Sequence, residues 1–111
     1  MSFKEEIKDD IVVLKVKGNM MGGSDTTDIH EHVKQSVEKG NTKFVIDIGQ
    51  VKWLNSSGIG VLMACYTSIN SKGGSLVLTR VTKKVQSLLV MTKILTFFKT
   101  AESIDEGIAL L

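Results

Sequence analysis

Phe44-Val45-Ile46-Asp47-Ile48, followed by Trp53-Leu54-Asn55-Ser56-Ser57-Gly58-Ile59-Gly60-Val61-Leu62, is the stretch from which the fold is read. The first run is nearly all apolar and β-branched, the pattern of a strand covered on both faces. After the serines, Ile59, Leu62, Met63, Tyr66 and Ile69 recur at helical spacing and predict a helix that lays this stripe on the sheet. Asn55-Ser56-Ser57 therefore falls where a strand hands over to a helix. The first turn of a helix has N–H groups without intrahelical partners and a partial positive charge, so it favours Asn, Ser or a phosphate. If Asn55 or Ser56 caps the helix, the Ser57 hydroxyl is left free. Gly58 beside it leaves the backbone uncovered, open to close approach by another molecule. An accessible serine at a helix start is a candidate phosphate acceptor. The same residues also read as a plain polar cap.

Upstream, Phe3-Lys4-Glu5-Glu6-Ile7-Lys8 and Ile11-Val12-Val13-Leu14-Lys15-Val16-Lys17 read as two strands joined by a turn at Asp9-Asp10, a hairpin. Gly18 through Gly23 reads as a flexible loop holding Met20 and Met21, which serve either as core plugs or as an adaptable partner contact. Ser24 or Asp25 starts a helix with Ile29, Val33 and Val37 on its buried face, stopped by Gly40-Asn41. His30 and His32 are two apart, on nearly opposite sides of that helix, which argues against a metal site. The second helix ends near Lys72-Gly73-Gly74.

Downstream, Ser75-Leu76-Val77-Leu78-Thr79 is a further buried strand. Residues 82–91 form a helix with Val85, Leu88 and Leu89 inward and Lys83-Lys84 solvated. Ile94, Leu95, Phe97 and Phe98 supply core anchors and a short final strand. Ser103 to Glu106 fits a capping box opening a last helix. Strands and helices alternate along most of the chain, so the class is α/β.

Two residues near the central strand are read individually. Asp47 is expected to be satisfied by nearby backbone N–H groups rather than to be catalytic. Trp53 is expected to fill core between sheet and helix, with an exposed edge as a possible partner anchor.

Length and composition bound the function. One hundred and eleven residues suit one domain, 1–111, with a core that needs neither disulfide nor metal. Hydrophobic residues at 42%, charged residues at 23% and a net charge of +2 give no case for nucleic acid. No apolar run approaches the roughly 20 residues of a membrane span, and the N-terminus lacks a signal-peptide pattern. A lone Cys65 and no possible internal disulfide are consistent with a cytoplasmic protein. Catalytic motifs are missing. Gly-x-Ser-x-Gly fails because Asn55 stands two before Ser57, the Gly18–Gly23 loop lacks a P-loop's Gly-Lys-Ser/Thr end, and Gly58-Ile59-Gly60 is too short for a dinucleotide fingerprint. The expectation is a non-enzyme without cofactor or metal.

Residues 51–62, Val51-Lys52-Trp53-Leu54-Asn55-Ser56-Ser57-Gly58-Ile59-Gly60-Val61-Leu62, resemble the signature of STAS domains, specifically bacterial anti-sigma factor antagonists, in which Asp-Ser-Ser-Gly-Leu-Gly opens a helix. The resemblance extends from about Phe3 to Leu111. It implies a single domain with a mixed sheet of four to five strands and helices packed mainly on one side. It also implies phosphorylation of Ser57 by a partner anti-sigma factor with serine kinase activity, and a serine phosphatase that resets it. Asn55, Ser56, Ser57 and Gly58 would be the partner-binding residues, with Val61, Met20 and Met21 as rim contacts. The chain departs from the family at Asn55, where Asp is usual, and at Gly18–Ser24, where an acidic residue is more common. An alternative within the same resemblance is a module that is not phosphorylated, binding a nucleotide or anion at this helix start or serving as an adaptor in a transporter or signalling assembly.

Overall fold

The computed structural model describes residues 2–111. Strands β1 (Ser2–Lys8) and β2 (Ile11–Met20) form the hairpin, turning at Asp9 with a left-handed φ of 57°. Helix α1 (Ser24–Glu38), β3 (Lys43–Leu54), α2 (Ser56–Asn70), β4 (Ser75–Thr79), α3 (Lys83–Met91), a 3₁₀ turn (Ile94–Phe97), β5 (Lys99–Ala101) and α4 (Ile104–Ala109) follow. The five strands lie in the order β1-β2-β3-β4-β5, antiparallel at the hairpin and parallel thereafter. Each parallel step is made by a crossover carrying a helix, as a parallel pair requires.

The alternation of β2 and β3 sorts their side chains between two layers. Val12, Leu14, Val16, Phe44 and Ile46 face α1, α2 and α3, which supply Ile29, Val33, Leu62, Ile69, Val85 and Leu89 to the main core. Ile11, Val13 and Val45 face the other way, and only the short α4 covers them, with Ile104 and Ile108. The expected buried face of α1 is present, and its end is a Schellman turn. Gly40, at φ 100°, donates to the Val37 carbonyl at 2.9 Å and Asn41 to that of Ser36 at 3.2 Å. Ser103 accepts from the Glu106 N–H at 3.1 Å, the forward half of the expected capping box, while the Glu106 carboxylate reaches the N–H of Glu102 at 3.2 Å.

The structure differs from the sequence expectation in four places. The segment from Gly18 is not loop, because β2 continues to Met20 and pairs it with Leu54. Between Lys15 and Lys17, and again between Gly18 and Met20, β3 advances three residues for two on β2. Its inward residues therefore change from every second to every third: Ile48, Val51 and Leu54 are buried, leaving Gln50, Lys52 and Trp53 outside. Trp53, expected in the core, is 39% exposed, with Lys84 5.1 Å above its ring. Of the aromatic anchors near the C-terminus, Phe98 is buried but Phe97 is 54% exposed, and the final strand begins only at Lys99.

Cys65 lies fully buried in α2, and desolvation pushes its thiol up to about 12 from an ordinary 9.0. The folded state prefers the neutral thiol. This contribution to stability is present below about pH 9 and lost as pH rises toward about 12. A disulfide reagent at pH 8 is expected to react with native protein at least about tenfold more slowly than with protein in denaturant. Equal rates would show that α2 does not shield the thiol.

Candidate functional site

Asn55 is the N-cap of α2, with extended backbone (φ −100°, ψ −173°). Its Oδ1 accepts from the Gly58 N–H at 3.0 Å and its Nδ2 donates to the Met21 carbonyl at 2.9 Å. The Asn55 backbone N–H donates to the Met20 carbonyl at 3.2 Å. One side chain thus caps the helix and ties it to the end of β2. An aspartate could perform the first task but not the second, because it has no N–H to give Met21 and would set a carboxylate oxygen against a carbonyl.

Capping by Asn55 leaves the serines free. Ser56 and Ser57 are both exposed in the first turn, and the Ser57 hydroxyl has no hydrogen-bond partner among the described residues. No acidic side chain lies in that turn, so the uncompensated helix N–H groups are the local electrostatic feature. Gly22, at φ 92°, passes directly beside Ser57. A methyl group on Gly22 would stand 3.0 Å from Ser57 Cβ and 3.4 Å from its Oγ. Sequence reading placed Gly22 only in a flexible loop. The Gly22-Gly23 doublet just before a helix was the available sign of tight backbone.

Three expected contacts change. Gly58 is buried, and its bare backbone serves close approach from within the molecule, since an added Cβ would lie 2.2 Å from the Met20 carbonyl oxygen. Met20 is fully buried as a core plug, so its side chain is no rim contact. Val61 is also buried, heading the row Val61, Cys65, Ile69 at i, i+4 spacing that α2 turns inward. Met21 remains half-exposed next to Asn55, which bonds its carbonyl.

Asp47, 1% exposed, is satisfied by side chains rather than by backbone N–H groups. Thr79 Oγ1 donates to its Oδ1 at 2.9 Å, Arg80 Nε donates to the same oxygen at 2.8 Å, and an Arg80 terminal nitrogen donates to Oδ2. Hydrogen bonding to Asp47, with its charge, raises the Arg80 pKa above its ordinary value. This is a structural pair, in which the buried carboxylate is taken up by Thr79 and Arg80. His30 bonds Ser68 and His32 bonds Glu5, so the two imidazoles serve different elements. Among the described residues no group of three or more His, Cys, Asp or Glu could hold a metal, and no helix is long and apolar enough to cross a membrane.

The comparisons with known proteins agree with this geometry. A model of the STAS domain matches residues 2–107. The structure is similar to that of a Thermotoga maritima protein assigned as an anti-sigma factor antagonist, with a TM-score of 0.87 at 25% identity, covering 96% of this chain and 92% of that one. It is similar in fold to the Bacillus cell fate determinant SpoIIAA in the phosphorylated form (TM-score 0.77, 15% identity, 97% of each chain). It is also similar in fold to a sulfate transporter family protein from Wolinella succinogenes (TM-score 0.81, 17% identity, 95% of this chain and 87% of that one).

Proposed function

The chain belongs to the STAS domain family, and on that premise we propose that it is an anti-sigma factor antagonist switched by phosphorylation of Ser57. The observation that carries the reading is the free, exposed Ser57 hydroxyl on the first turn of a helix whose cap is already supplied by Asn55. The unphosphorylated surface around Asn55, Ser56, Ser57 and Met21 docks on an anti-sigma factor that is also a serine kinase. That enzyme transfers phosphate to Ser57, and a serine phosphatase removes it. The phosphate adds roughly −1.5 to −2 charges in the middle of the contact, repels acidic partner groups and must be desolvated for rebinding. Because α2 is already formed and capped, the switch is local and needs no refolding. Ser57 stands exposed on the first turn of α2 rather than inside a cleft-lining set, which favours a protein partner over a nucleotide.

Mass spectrometry of the protein from its own cells is expected to find phosphate on Ser57. Titrated with the cognate anti-sigma factor, Ser57→Ala is expected to bind as the parent does and Ser57→Asp at least about tenfold more weakly, with unchanged melting of both. Equal binding by the two variants would refute the electrostatic switch. A Ser57 free of phosphate in resting and stressed cells would leave an adaptor that is not phosphorylated.

A further inference from the structure

The outer layer of the sheet is only partly covered. Helix α4 shields Ile11, Val13 and Val45, and beyond it the ends of β2 and β3 stand open. Two hollows meet there at Gln50. One is bounded by Lys8, Lys15, Arg80 and Asp105. The other is floored by Gly18 and Gly49 and flanked by Lys17 and Lys52. Five cations and one carboxylate line the trough, and of the five Arg80 is paired with Asp47 and Lys15 with Glu6, which leaves the lining with an excess of positive charge. This lining lies on the face that the three longer helices leave bare.

Several of these cations are available. Lys8, Lys17 and Lys52 have no ion-pair partner among the described residues. Lys15 is paired with Glu6, but both are about two-fifths exposed, where such a pair exchanges readily with other partners. The bulges that displaced Gln50 and Lys52 from the core also presented them here.

We propose that this trough is a second docking surface, and that its occupant is an acidic polypeptide segment of a partner protein. The charge complementarity selects an anion. A second copy of the chain is disfavoured, because a two-fold contact would oppose like charges. No aromatic ring lines either hollow to stack bases, which separates the trough from single-strand nucleic-acid grooves. A Glu or Asp side chain, by contrast, reaches Lys and Arg from a backbone lying along the strands. The trough lies on the outer face of the sheet and Ser57 at the start of α2, so the two surfaces are made by different side chains.

The test uses the full chain and an octaglutamate peptide, followed by amide NMR at about 50 mM salt, where surface electrostatics are only partly screened. Shifts are expected around Lys17, Gln50 and Lys52 but not around Ser57, and to weaken as salt is raised. The double variant Lys17→Glu/Lys52→Glu is expected to bind the peptide at least about tenfold more weakly, while Lys34→Glu/Lys72→Glu on the helix side binds as the parent does. The Ser57→Ala variant should leave peptide binding unchanged, so this result is separate from the Ser57 switch. Absence of binding, equal loss in the control variant, or tighter binding at these residues of an oligothymidylate or of phosphatidylserine vesicles would overturn the proposal.

Discussion

Gly58→Ala is expected to destabilise the protein by about 3 kcal/mol or more, at the upper end of what overpacking does. The added methyl carbon would stand 2.2 Å from the Met20 carbonyl oxygen, 2.9 Å from Met20 Cβ and 3.0 Å from the Met20 carbonyl carbon. Two of those three atoms are backbone, and the carbonyl oxygen is already held by the Asn55 N–H. No side chain can rotate out of the way. Relief requires the first turn of α2 to lift off β2, which would stretch the Asn55 bonds to Met20 and Met21 and carry Ser57 away from Gly22. Urea unfolding should show the loss, and binding at Ser57 should fall with it. Gly60→Ala, two residues on in the same helix, is the control. Nothing lies within 4 Å of its added carbon, so replacing an exposed helical glycine should raise stability by roughly 0.5–1 kcal/mol. A similar response at both positions would mean that close packing does not govern Gly58.

Arg80→Ala is the second large effect, expected to cost about 2–3 kcal/mol. The Arg80 side chain is 45% exposed, but its partner Asp47 is 1% exposed, and the truncation leaves a buried carboxylate with only the Thr79 hydroxyl. The cost arises from the abandoned charge more than from the lost attraction. Arg80→Lys should recover little, since one ammonium group cannot reproduce the paired bonds to both carboxylate oxygens. Replacing the pair together, as Asp47→Val with Arg80→Met, should recover most of the loss because it removes the stranded charge. Denaturant melts of the three variants and the parent decide it. A double replacement as unstable as Arg80→Ala alone would refute this account.

Much of the architecture was legible in the chain because most of it is periodic. The stripes of α1, α2 and α3 needed only the rule that one face is buried, and the nearly all-apolar run of β3 the rule that a central strand is covered on both. The Asn55-Ser56-Ser57 junction was legible because helix starts select such side chains. The failures share a cause. The bulges of β3, the Arg80 partner of Asp47 and the contact between Gly58 and Met20 are each set by a strand or residue distant in sequence. Local pattern carries no record of such pairings. Trp53 looked like core because it is a large aromatic residue between a buried strand and a helix, and Gly58 looked like an open surface because its nearest neighbour is 38 residues upstream.

The strand order of the sheet is also the order of the chain. Each new strand is laid beside the one made before it, so no insertion between strands already paired is ever needed. The hairpin can form as soon as β2 is complete, and each later helix and strand adds to one advancing edge as the chain leaves the ribosome. The three residues of β5, paired to a single neighbour, make the shorter of the two sheet edges.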